Sequence, residues 1–224
     1  MPPLDRPVIV IGAGSHAKVV VDLLLAAAAE VLCAVDIRPA RDKTVLGIPV
    51  LDEATVLAGT SPEQVDLAMG IGGGRLDPVQ GLETRLEKAR SLEQSGFRFP
   101  ALVHPTAYLG VDCRIGAGAQ VMAGAVIQPD SRVGEFAIIN TRAAVDHDGD
   151  IGDGAHIGPG AVLAGTVSVG ASSFIGAGSS IIQDIQVGDR VLVAAGSVVI
   201  DQVPTEARVA GVPAKNMTKG SKVP

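Results

Sequence analysis

The stretch HIGPGAVLAGTVSVGASSFIGAG, residues 156–178, repeats itself every six positions. Ile157, Leu163, Val169 and Ile175 mark the beat, and a glycine follows three of the four. Working outward, every sixth residue from Val103 to Val199 is aliphatic. Four places after that residue the side chain is usually small: Ala119, Ala125, Ser131, Ala137, Ala143, Ala155, Ala161, Ser173, Ser179. Neither the helix period of 3.6 nor the strand period of 2 produces this. An unbroken six-residue repeat predicts a β-helix, in which short strands meet at tight corners and the aliphatic residues stack inward.

Before residue 100 the grammar differs. PVIVIGAG (7–14), VLCAVD (31–36) and VDLAMGIGGG (65–74) read as strands, while HAKVVVDLLLAAAAE (16–30) and GLETRLEKARSLEQSG (81–96) read as helices. The second helix carries Leu82, Leu86, Ala89 and Leu92 on one face. Alternation of this kind predicts a small parallel α/β sheet. The expected fold is an α/β Rossmann-like half-domain over 1–100, an all-β parallel β-helix over 101–205, and a tail over 206–224.

The chain has 224 residues and a net charge of −6, with 47% hydrophobic but only 2% aromatic residues. The core must therefore be aliphatic, and the basic footprint of a nucleic-acid binder is absent. Two distant cysteines, Cys33 and Cys113, give neither a disulfide framework nor metal spacing. The longest apolar run (17–29) is too short to span a bilayer and contains Asp22. With no signal-peptide layout at the start, the expected location is the cytoplasm, away from membranes.

GAGSHA (12–17) reads G-x-G-x-x-A between a strand and a helix, with Asp36 at the end of the next strand. Alone this is a dinucleotide fingerprint. A redox enzyme, however, needs a second α/β half for which the chain has no room. Within the repeat, AAVDHDGDIGDGAHIGPGA (143–161) holds two of the four histidines, His147 and His156. A histidine titrating near neutrality suits general-base work, and a backbone N–H at a tight corner can hold a developing oxyanion. His147 suits the first task, with Asp146, Asp148 and Asp150 all close in sequence. Zinc is disfavoured, because a three-histidine site would have to use His147, His156 and His104 from different coils.

These residues resemble a known family. NTRAAVDHD (140–148), HIGPGAVLAG (156–165) and AGVPAK (210–215), preceded by GAGSHAKVV (12–20), look like the left-handed β-helix acyltransferases that use acetyl-CoA. More narrowly, they resemble the nucleotide-sugar N-acetyltransferases acting on UDP-linked bacillosamine precursors or GDP-perosamine. The sialic-acid O-acetyltransferases are a sister group, and sugar O-acetylation is the alternative activity. The resemblance implies three hexads per coil and a homotrimer with active sites between subunits. It implies His147 as general base and Asp148, rather than its neighbours, as the partner carboxylate. It puts His156, Gly165, Ala177, Ala195 and Lys215 at acetyl-CoA; Lys219 and Lys222 could meet its phosphates but read rather as a disordered basic tail. It puts Gly14, Ser15, His16, Lys18, Asp36, Gly72 and Asn140 at a nucleotide-linked 4-amino-4,6-dideoxy sugar used in surface-glycan synthesis. No metal is implied. Relatives acting on UDP-sugars carry two acids where this chain has Asp36–Ile37, which leaves UDP and GDP equally open.

With 18 residues per coil, His147 should stack on Gly165 and Ala177 on Ala195. His147 and His156, half a coil apart, should point to different faces. One site would use both only if two subunits contribute.

Overall fold

The structure is a computed structural model that describes residues 4–74 and 77–217. Lys219 and Lys222 lie outside the described residues. Strand β1 (Val8–Ile11) leads through helix α1 (Ser15–Ala26) to β2 (Val31–Asp36). A hairpin of β3 (Thr44–Val45) and β4 (Ile48–Asp52) follows, then the short helix α2 (Glu53–Ala58), β5 (Asp66–Met69) and α3 (Pro78–Gln94). The sheet order is β3-β4-β2-β1-β5, parallel except for β3. Helix α1 stops four residues before the expected end: Ala28 takes a left-handed φ of 56° and the chain turns into β2. Helix α3 starts three residues early because the Asp77 carboxylate accepts from the Val79 and Gln80 amides, with Pro78 at the first helical position. The hairpin and α2 carry no periodic signal that distinguishes them from a loop.

From Leu102 onward the chain winds a left-handed parallel β-helix. Strand partners lie 18 residues apart, as in Val126↔Ala144↔Val162 and Ile138↔His156↔Phe174. Each coil therefore contributes one two-residue strand to each of three walls. Inside, Ile127, Val145, Leu163, Ile181 and Val199 stack with at most 2% exposure. The nine small residues named above are all fully buried. The buried serine hydroxyls among them donate to carbonyls on the next coil, Ser173 Oγ to Gly188 O at 2.7 Å for example. The corners add a feature that the residue types conceal. Every sixth residue from Asp112 to Gly196 has φ between 53° and 69°, whether it is glycine, Asp148, Arg142, Thr166 or Phe136. That left-handed residue lets the chain turn through each corner.

The three walls differ in what they present outward. One points Arg114, Arg132, Asp150, Ser168 and Gln186 to solvent. The second turns Leu102, Gln120, Ile138 and His156 toward the α/β region, where Leu102 and Ile138 join the cluster under α1. Helix α3 lies along one edge of that wall. Leu86 packs over Gly154, and Arg90 reaches Glu135 and Asp153. The third wall points Tyr108, Val126, Ala144, Val162, Ser180 and Val198 outward, with Tyr108 and Val162 about half exposed.

Candidate active site

Two places gather the singled-out residues. The first is a crevice of about 940 Å3 at the carboxyl ends of the parallel strands. Here α1 leaves β1 toward one side of the sheet while β5 sits on the other, so β1 is the point where strand order reverses. Gly14, Ser15, His16, Asp36 and Gly72 line this crevice with the rest of the Gly70–Gly74 turn. Gly12 bears the tightest demand. Its φ is 96°, and a Cβ there would meet Ile71 Cγ1 at 2.7 Å. Helix α1 has neither a side-chain cap nor an acidic residue in its first turn, so its N-terminus is available to an anion. Lys18 is exposed on α1 and is not part of the crevice wall.

His16 closes the crevice floor against the β-helix. Gln120 Nε2 donates to Met69 O at 2.7 Å, so its Oε1 is the acceptor facing His16 Nε2 at 2.9 Å. His16 Nε2 therefore carries the proton, and Nδ1 is left as an acceptor. Burial pushes the His16 pKa down to about 4.

The second place is the edge between the third wall and the solvent-facing wall. Asp148 takes the left-handed corner position immediately after His147. This turn sets Asp148 Oδ2 2.8 Å from His147 Nδ1, while Asp146 is occupied with the His147 amide. Of the three neighbouring acids, the corner therefore selects Asp148. The His147 side chain is 59% exposed, and the Asp148 contact raises its pKa above the usual imidazole value, helped by Asp146 and Asp184. Its ring lies over Gly165 one coil on: a Cβ at Gly165 would come within 2.5 Å of His147 Nε2. The Gly165 amide has no acceptor among the described residues.

His156 lies on the wall beneath the α/β region, 8% exposed, edge-on to Phe174. Asn140 Oδ1 accepts from the Thr141 amide, so Asn140 Nδ2 donates to His156 Nε2 at 2.9 Å. The proton of His156 thus sits on Nδ1, which is buried and has no partner. Burial is the main cause that drives its pKa down to about 3. Asn140, Ala177 and Ala195 occupy the corner between this wall and the third wall. Ala177 and Ala195 are exposed, with amides that have no acceptor among the described residues. Lys215 is exposed on the final strand, 3.3 Å from Asp201. No group of three metal-ligating side chains occurs among the described residues.

His147 and His156 thus sit on different sides of the prism, and the third wall separates His147–Gly165 on one edge from Asn140–Ala177–Ala195 on the other. The PglD N-terminal domain family matches residues 7–76. Over the whole chain, the similarity is to perosamine N-acetyltransferase from Caulobacter crescentus, solved with CoA and GDP-perosamine. Identity is 37%, the TM-score is 0.85, and the match covers 96% of this chain and 99% of that one. The chain belongs to the hexapeptide-repeat nucleotide-sugar N-acetyltransferases. The acetyltransferase domain of PglB from Neisseria gonorrhoeae, solved with acetyl coenzyme A, is 36% identical with a TM-score of 0.87, covering 95% of this chain and 99% of that domain. WeeI from Acinetobacter baumannii shares the fold at 23% identity and a TM-score of 0.83, covering 95% of this chain and all of that one. No curated protein sequence matches the chain.

This N-acetyltransferase fold explains two residues that sequence reasoning did not find. Gln120 fixes the tautomer of His16 from the β-helix side, and Arg85 is fully buried beside the crevice. Arg85 falls between Leu82 and Ala89 on the buried stripe of α3. A charge in an apolar stripe was the available signal.

Proposed function

We propose that this enzyme transfers the acetyl group of acetyl-CoA to the 4-amino group of a nucleotide-linked 4-amino-4,6-dideoxy sugar, and that it works in the cytoplasm as a homotrimer in surface-glycan synthesis. The observation that carries this is the His147–Asp148 pair, its ring lying over the free amide of Gly165. With Nδ1–H held by Asp148, Nε2 presents a lone pair. As the amine attacks the thioester carbonyl, His147 Nε2 takes its proton and Asp148 stabilises the imidazolium. The carbon–nitrogen bond forms, the carbon–sulfur bond breaks, and the proton on His147 goes to the departing thiolate. The Gly165 N–H is the donor for the oxyanion.

The nucleoside diphosphate occupies the crevice, with Gly14 and Ser15 at α1 contacting phosphate, Asp36 the ribose or base, and His16 and Gly72 the sugar side. Lys18 acts on the phosphates from outside the crevice wall. The solved relatives support this division: perosamine N-acetyltransferase has been crystallised with GDP-perosamine, and also with a single histidine replaced by asparagine or by alanine. In this reading residues 1–100 bind the nucleotide sugar, 101–205 form the transferase β-helix, and the tail over 206–224 contributes to the CoA site through Lys215.

The walls support the trimer. Among the described residues nothing covers the apolar third wall, whereas the other two are either solvated or packed on the α/β region. A second copy against it brings the His147–Gly165 edge of one subunit beside the Asn140–Ala177–Ala195 edge of its neighbour. His156 then joins the same site from the adjacent chain, and the free amides of Ala177 and Ala195 line the CoA path.

The test is thiol release from acetyl-CoA with UDP- and GDP-linked 4-amino-4,6-dideoxy sugars, with sialic acid as the hydroxyl control. Turnover with an amino sugar is the expected result and identifies the base. Turnover with sialic acid alone moves the enzyme to O-acetylation and overturns the reading.

A further inference from the structure

One charge beside the crevice is left unanswered by the fold. Arg85 on α3 is fully buried. Its Nε donates to Ile71 O at 2.8 Å and its Nη1 to Phe136 O at 2.5 Å. The first acceptor belongs to the Gly70–Gly74 turn and the second to a β-helix corner, so both regions hold the guanidinium in place. Nη2 is buried and has no partner.

No carboxylate pairs with Arg85 among the described residues. The other ionised groups on the crevice wall do have counterions. Lys88 pairs with Glu53, Asp77 with Arg208, and Asp36 faces Lys43 at 3.8 Å. His16 and His156, which feel the Arg85 charge, remain neutral near pH 7 and bring no negative charge of their own. A buried cation without a counterion is costly, and burial pushes the Arg85 pKa down to about 10. Such a cost is offset when a ligand supplies the missing anion, and a guanidinium held by two carbonyls is already oriented for it.

We propose that Arg85 is the counter-charge for the substrate diphosphate, with Nη2 donating to a phosphoryl oxygen while Ile71 O and Phe136 O fix the guanidinium plane. The assignment rests on the reading of the crevice as the nucleotide-sugar site. It gives the diphosphate a donor besides the α1 N-terminus, both of them on the crevice wall. Because one anchor is Phe136, it also makes the β-helix part of the nucleotide site.

The experiment uses full-length protein. Calorimetric titration of wild type, Arg85→Met and Arg85→Lys with UDP, GDP, uridine and guanosine is combined with KM measurements for sugar nucleotide and acetyl-CoA. Wild type is expected to bind one diphosphate more tightly than its nucleoside. In Arg85→Met the diphosphate affinity should fall about ten- to hundredfold, the loss of a charge-assisted hydrogen bond, with nucleoside affinity and the KM for acetyl-CoA unchanged. Arg85→Lys keeps the charge without the fork and should lose about tenfold in the diphosphate-to-nucleoside ratio. If Arg85→Met melts early, the lysine variant decides. An unchanged ratio in a folded variant, or equal losses for nucleoside and diphosphate, reduces Arg85 to a structural staple and overturns the proposal. A wild type that does not favour the diphosphate over the nucleoside refutes the crevice reading itself.

Discussion

His147 and His156 stand nine residues apart on one repeat, and their surroundings make them chemical opposites. His147 sits on an open edge with a carboxylate at 2.8 Å, and its pKa is raised. His156 sits under the α/β region on an amide and a phenyl ring, and burial drives its pKa down to about 3. The same six-residue pattern places His147 in a corner turn and His156 on a two-residue strand. The difference arises from what covers each wall and from one corner residue, Asp148. The β-helix is thus a ruler that sets spacing, and the chemistry is decided by what is laid against it.

The largest expected effect follows from the exposed member of the pair. His147→Ala should lower kcat about 10²- to 10⁴-fold, the usual worth of a general base, with melting unchanged because the side chain packs against little. Near-normal thiol release from this variant would erase the functional contrast. Gly165→Ala should lower kcat by on the order of a hundredfold through displacement of the His147 ring. The added methyl would sit within 2.5 Å of Nε2, and the glycine's φ is not in the left-handed region, so the fold should hold. A kcat equal to wild type would mean that the ring position over Gly165 is not the reacting one.

Asp148→Asn sharpens the electrostatic half of the comparison. His147 acts as a base only when neutral, so activity falls as pH drops through its raised pKa. Removing the carboxylate lowers that pKa and should move the acid limb of the kcat profile to lower pH. A limb that stays in place would assign it to another group.

The smallest effect belongs to the buried histidine. Unfolded histidine protonates near pH 6.5, but native His156 does so only at about 3 and His16 at about 4. Between those values the unfolded state binds more protons, so stability should decline as pH falls below about 6.5. His156→Gln should make that decline shallower in melting curves recorded from pH 7 to 4. An unchanged slope would mean that His156 is not buried neutral.

Much of this was legible in the sequence. The aliphatic beat marked the inward column through to Val199, and the 18-residue coil put His147 against Gly165. The α/β region was readable at β1, β2 and β5, where short apolar runs mark the strands, but not at the short hairpin and α2. The left-handed corners escaped because Asp, Arg, Thr and Phe hold that conformation as well as glycine does here. The residues by themselves also left the partner of His147 open, because one-residue neighbours in a strand face opposite ways; the resemblance favoured Asp148, and the corner turn brings it alongside. Gln120 was out of reach, and Arg85 showed only as a charge in the apolar stripe of α3, for another reason. Their roles depend on contacts between the two regions, and spacing along one chain segment carries no information about those.

The final coil is cut short. Leu192 pairs with Arg208 at a separation of 16 residues rather than 18, and Arg208–Gly211 then folds back in an antiparallel hairpin with Ala214–Asn216. A stack of parallel rungs exposes unpaired amides and carbonyls at its last rung, an invitation to fibrous end-to-end growth. The reversed strand presents the wrong polarity for another parallel rung on that wall, so the hairpin acts as a terminator that keeps a potentially endless polymer finite.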